Sequence, residues 1–178
     1  MIYRIYPTKD TFITNDVRDG SSTRFTGSNL GFSEELDVFK RAGISGTIGT
    51  RASASLGRAL LQFDLSAYAA LTASGDIPIS GSTYRLRLAH KTSAETLPYS
   101  FSLDVLPVSS SWDEGRGMDV NDLGDKFAAN WVKRTSSQYW NTSGGDFLAA
   151  PSASAYFDLG TEDLDIDVTS IIQGWMSG

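Results

Sequence analysis

The chain has no cysteine among its 178 residues and a single histidine. The first absence removes a disulfide framework, a thiolate nucleophile and any zinc site built on sulfur. The second removes a metal centre made of several imidazoles from one chain. Basic runs are missing too: Lys and Arg number 15 against 21 Asp and Glu, a formal net charge of −6. Nucleic-acid backbones and anionic membrane surfaces both require clustered cations, so neither is an expected partner. No stretch reaches the roughly 18 consecutive apolar residues of a spanning helix. The opening Met1-Ile2-Tyr3-Arg4-Ile5-Tyr6-Pro7 does not read as a secretory leader, because Arg4 interrupts the apolar run and no small-residue cleavage site follows.

Helical periodicity is scarce; what is present is alternation with a period of two. In Arg58–Leu65, one face carries Ala59, Leu61, Phe63 and Leu65, with Leu60 as the exception on the polar face. Tyr84, Leu86 and Leu88 alternate with Arg85 and Arg87, and Phe101, Leu103 and Val105 alternate with Ser102 and Asp104. Shorter strand candidates are Ile2–Tyr6, Thr11–Ile13, Leu36–Phe39, Tyr156–Leu159 and Leu164–Val168. A half-buried strand needs a second layer over its apolar face, so many short strands with polar turns predict a β-sandwich or jelly roll. At this length and with 40% hydrophobic residues, the expectation is one folded domain over 1–178.

Three segments interrupt the alternation. Asn15–Glu35 and Ala42–Leu56 are rich in Gly, Ser and Thr and read as surface loops. The third, 112–151, carries five glycines and the tryptophans Trp112, Trp131 and Trp140, and its middle, Val120–Lys133, has room for a short helix. Near the end, Asp167 or Thr169 is placed to cap one short helical stretch that sets Ile171, Ile172 and Trp175 on one side.

The order of these pieces resembles a known family. Arg58-Ala59-Leu60-Leu61-Gln62-Phe63-Asp64-Leu65-Ser66 looks like the R-x-L-L-x-F-D-L-S strand of carbohydrate-binding modules of the disaggregatase-related, DNRLRE type. Tyr84–Leu88 is similar to that family's A-x-L-R-L strand, and Val105 to Trp112-Asp113-Glu114 to its V-x-x-V-x-x-x-W-x-E segment. Asp167-Val168-Thr169-Ser170-Ile171-Ile172-Gln173-Gly174-Trp175 matches its D-V-T-x-x-V-x-x-W element. The resemblance implies a jelly-roll β-sandwich with long loops, serving as a non-catalytic module. Chains with this pattern also resemble structural proteins of tailed-phage virions. Family members continue past the Trp element into closing strands, whereas this chain stops at Gly178. The domain is therefore expected to lack its closing strands and to receive them by strand addition from another copy or a neighbouring virion protein. The expected location is the virion, with an extracellular carbohydrate-binding module as the alternative.

Two clusters are candidate sites. Sugar rings are read by exposed aromatic faces flanked by carboxylates and amides, and Trp112, Asp113, Glu114, Trp131, Tyr139 and Trp140 supply that composition. The same aromatics suit a second role, pinning the long loop onto the sandwich. Asp119, Asn121, Asp122 and Asp125 crowd oxygen ligands of the kind calcium takes, although EF-hand spacing fails. Asp163, Asp165 and Asp167 share one strand face, where their repulsion calls for a cation or for arginines opposite. No nucleophile elbow or dinucleotide fingerprint is present, and His90 reads as a packed or rim residue, so no catalytic residue is assigned and no cofactor other than calcium is considered.

Overall fold

A computed structural model describes residues 2–17, 23–44, 51–78, 80–92, 100–120 and 125–177. The described residues are mainly strands in small antiparallel sheets, with two short helices, so the all-β expectation holds at that level. No sheet closes among them. The residues gather into two compact units, each discontinuous in the chain.

The first unit comprises Met1–Asp64 and Ser110–Asp146. Its sheet has β1 (Pro7–Thr14) and β2 (Phe39–Ile44) on either side of the long β3 (Arg51–Phe63). Much of the segment expected as a surface loop over Ala42–Leu56 is therefore strand: Lys40 pairs with Leu56, Arg41 with Ser55 and Gly43 with Ala52. Backbone pairing with β2 holds the Gly- and Ser-containing half of β3 as strand despite its weak strand preference, while β1 pairs with the other half. Gly57 has a specific role there. It faces Thr14 on one side and Phe39 on the other, and a Cβ on it would meet the Phe39 ring at 2.5 Å. Only a glycine lets that ring cross the central strand.

All four residues of Thr11–Thr14 are buried, so both faces of the sheet are covered there. Ile13 pairs with Arg58 and Thr11 with Leu60, which puts these side chains on one face. That face lies under the 112–146 segment: Arg58 donates to the Gly144 carbonyl at 2.5 Å and its guanidinium stands 5.0 Å from the Trp131 ring centroid. This cover explains a departure from the simple alternation. Leu60, the apparent exception, is buried, while Ala59, Leu61 and Phe63 are only half-buried. Leu65 lies beyond the strand and belongs to the other unit.

Three further expectations shift in this unit. Ile2–Tyr6 is not a strand and is largely exposed; the pairing begins at Pro7. Of Leu36–Phe39, only Phe39 enters a strand. No helix forms in 125–133, because Asp125 and Asn130 turn the backbone instead. Asp125 Oδ1 accepts from Phe127 N, and Asn130 Oδ1 accepts from Val132 N and Lys133 N.

The second unit comprises Leu65–Ser109 and Phe147–Gly178. It has two antiparallel ribbons, β4 (Arg85–Leu88) with β7 (Leu164–Asp167) and β5 (Phe101–Val105) with β6 (Ala153–Phe157). Here the alternation read from the sequence is the alternation observed: Leu86 and Leu88 turn inward between exposed arginines, as do Phe101, Leu103 and Val105 between exposed polar residues. The core is Phe157, Leu164, Ile166, Val168, Ile171 and Ile172. Phe101 and Phe157, directly opposed in register, stack with centroids 4.9 Å apart.

Helix α1 (Ser66–Ala73) was not foreseen; it follows a strand without a capping side chain and buries Tyr68 alone. The Tyr68 hydroxyl lies 2.9 Å from that of Tyr84, and burial together with this hydrogen bond pushes the Tyr84 phenol up to about 12. Helix α2 (Thr169–Ser177) forms where expected, with Asp167 Oδ1 accepting from Thr169 N at 2.8 Å. Its buried side differs. Ile172 and Met176 continue from Val168 at intervals of four, while Trp175 is 51% exposed. The inner stripe is centred one residue away from the one that includes Trp175.

Candidate functional site

The 112–146 segment has almost no regular structure, yet its interior is among the best-connected parts of the molecule. Asn29, fully buried, donates from Nδ2 to the carbonyls of Glu114 and Ala129 at 2.6 and 2.7 Å. Its Oδ1 accepts from Gly31 N and Gly117 N. Every hydrogen-bonding site of the amide is thereby used. Gly115, at φ +81°, and Gly117 pass so close to Asn29 that a Cβ on either would overlap it.

Asp146 is a second anchor. Its buried carboxylate accepts from Asn141 N, Asn141 Nδ2, Thr142 N and the Ser110 hydroxyl. Burial alone would raise this carboxyl; the converging donors outweigh it and hold the group below the usual carboxylate range. Neither Asn29 nor Asp146 was singled out in the sequence. An amide between Ser28 and Leu30 and an acid after two glycines carry no pattern that separates them from solvated loop residues.

The expected glycan-reading set is only partly presented to solvent. Trp112, Trp131 and Trp140 are buried, with Trp140 Nε1 donating to the Asn130 carbonyl at 2.8 Å. Lys9 donates to the Trp112 carbonyl at 3.1 Å. Glu114 is half-buried and accepts from the backbone N of Asp10 at 2.8 Å. Burial, then the Glu114 charge, raises the Asp10 carboxyl above its ordinary value. Tyr139 is 62% exposed, with the Lys133 ammonium 5.5 Å from its ring centroid. Asp113 is exposed and is joined to this turn through the chain Asp113 N to Arg134 O and Arg134 N to Gln138 O. Of the six residues, Asp113 and Tyr139 are exposed, Glu114 is half-buried and the three indoles are buried.

Of the calcium candidates, Asn121 and Asp122 lie outside the described residues. Asp119 is exposed, and both oxygens of Asp125 are engaged by the backbone N–H groups of Phe127 and Arg116. Among the described residues, no group of three or more His, Asp or Glu side chains is placed to hold a metal ion. The carboxylate row of β7 is met by arginines. Asp165 bonds Arg85 Nε at 2.5 Å and Arg87 Nη2 at 2.9 Å, and these bonds lower its carboxyl. Asp163 accepts from His90 N at 2.7 Å.

In the first unit, a cleft of about 400 Å³ is lined by Phe12, Thr14 and Phe39 of the sheet and by Met118, Asp119 and Val120 of the 112–146 segment. Among the described residues, no helix is long and apolar enough to cross a membrane. No family model, curated protein or solved structure matches the chain.

Proposed function

We propose that the chain is a non-catalytic structural module of a bacteriophage virion, a tail or capsid-decorating protein that acts through contacts with other copies of itself or with neighbouring virion proteins. The observation that carries this reading is the set of open sheet edges. β1 and β2 each have one hydrogen-bonding side without a partner strand among the described residues, and so do the strands of both ribbons. Such edges are templates for strand addition, and proteins that keep them use or guard them. In this reading the architecture is a jelly-roll β-sandwich whose sheets are completed by strands from neighbouring chains. The motif order from Arg58 to Trp175 supports the same assignment.

The reading is tested by quantitative mass spectrometry of purified particles and by hydrogen exchange. The chain is expected in particles at the copy number of a structural protein, with the edge-strand amides of β1, β2, β4 and β5 exchanging far more slowly in the particle than in dilute solution. Absence from particles, or unchanged exchange at every edge, overturns it. A second reading, carbohydrate binding outside the cell, rests on the exposed Tyr139 ring and the exposed Asp113. A glycan-array signal that Tyr139→Ala abolishes, measured with and without calcium, would favour it.

A further inference from the structure

Ile2-Tyr3-Arg4-Ile5-Tyr6 precedes β1 and enters no strand of its own chain, yet its isoleucines and tyrosines are residues that favour one. Ile2 is 87% and Tyr6 74% exposed, and the Arg4 side chain makes no hydrogen bond or ion pair among the described residues. In the second unit, β5 has a matching edge. Its side away from β6 carries no partner strand among the described residues, and its five residues equal the segment in length, roughly 16 Å when extended. Phe101, Leu103 and Val105 pack against the core of that unit but are only half-buried, so a further strand beside them would extend their cover. Between Leu103 and Val105, Asp104 is exposed, and its side chain also lacks a hydrogen bond or ion pair among the described residues.

Charge and register select this edge from the others. β2 carries Lys40 and Arg41, and β4 carries Arg85 and Arg87, all cations that disfavour a further one. On β7, Asp165 is already met by the β4 arginines, and β6 has no charged residue. On β1, the Asp10 amide already donates to the Glu114 carboxylate. Arg4 set opposite Asp104 makes an opposite-charge cross-strand pair. Because side chains alternate, Tyr3 and Ile5 then fall on the same side as Leu103 and Val105, whichever way the strand runs. We infer that Ile2–Tyr6 of one copy adds as a strand to the open edge of β5 in a second copy, with Arg4 against Asp104. This inference rests on the assembly reading and specifies one of its contacts.

The test is cross-linking of the full chain, alongside sedimentation velocity. The chain has no cysteine of its own, so an introduced pair reports one contact, and directly paired strand residues lie within disulfide reach. Under mild oxidation, a mixture of Arg4→Cys and Asp104→Cys chains is expected to give a mixed disulfide dimer. Its yield should exceed that of Arg4→Cys with Ser137→Cys, an exposed loop control, by at least about tenfold. Sedimentation should show self-association that Arg4→Glu or Asp104→Lys weakens by at least about threefold and the two together restore. Ile5→Pro, confirmed as folded by its circular dichroism and melting temperature, should abolish it, since proline withdraws an N–H from the added strand. A mixed dimer at the control level, or self-association indifferent to these substitutions, overturns the inference. A chain that stays monomeric also overturns it. Each of these failures leaves the assembly reading standing, because that reading admits other edges and unlike neighbours and is tested on the particle itself.

Discussion

The two units are built by different means. In the second, half-buried Leu86 and Leu103 pack against a buried apolar cluster that includes Ile166, and α2 adds Ile171 and Ile172. In the first, a sheet of ordinary strands is covered by a segment with no regular structure, fastened at Asn29 and Asp146. An apolar cluster degrades gradually when trimmed, since each contact is replaceable in kind. A polar anchor fails abruptly, because removing it strands several buried partners at once. A long irregular segment thus becomes as well defined as a strand, at the cost of depending on very few side chains.

The sharpest way to break this contrast is Asn29→Leu. It strands two carbonyls and two N–H groups, so at about 1 kcal/mol each the expected loss is about 4 kcal/mol in urea denaturation. Amides of 110–146 should lose exchange protection before those of the ribbons. Next is Ile172→Ala, expected to cost about 3 kcal/mol by thermal or chemical unfolding, while Trp175→Ala on the same helix should stay within about 0.5 kcal/mol. Equal effects would mean that the helix buries the stripe first read from the sequence. Third is Asp146→Asn, expected to cost about 2 kcal/mol at neutral pH, and it has a pH signature. The folded carboxyl sits below its ordinary value, so its contribution is present above the unfolded value near 4 and is lost as pH falls through the folded one. Acid titration of stability should be steeper in the native chain than in the variant.

The contrast also decides what was legible. β4, β5 and β7 were readable because each has one wet face, and the cap at Asp167 was readable because capping chemistry is local. The buried Leu60 was not, because the cover over its face comes from residues more than fifty positions away. Nor was α1, whose Ser66–Ala73 carries no charged residue in either end turn and buries one ring. A cation or arginines opposite the aspartates of β7 were anticipated from charge repulsion alone, and Arg85 and Arg87 of β4 meet Asp165 there. At the candidate site, residue types were legible and orientations were not. A tryptophan that pins a loop and one that stacks on a sugar have the same composition around them, and only the path of 112–146 separates the buried Trp140 from the exposed Tyr139.

The interleaving of the units has a consequence for how the chain is made. β1, β2 and β3 have all emerged by Phe63, but the residues that cover Ile13 and Leu60 follow only after the whole 65–109 stretch of the other unit. During synthesis the first sheet must wait with one apolar face bare, and the second unit waits in turn for Phe147 onward. Neither half can be cut out as a continuous piece and keep its interior. A chain released after residue 109 would hold two unfinished units, each exposing surface that the complete molecule hides, and surface of that kind is what aggregates.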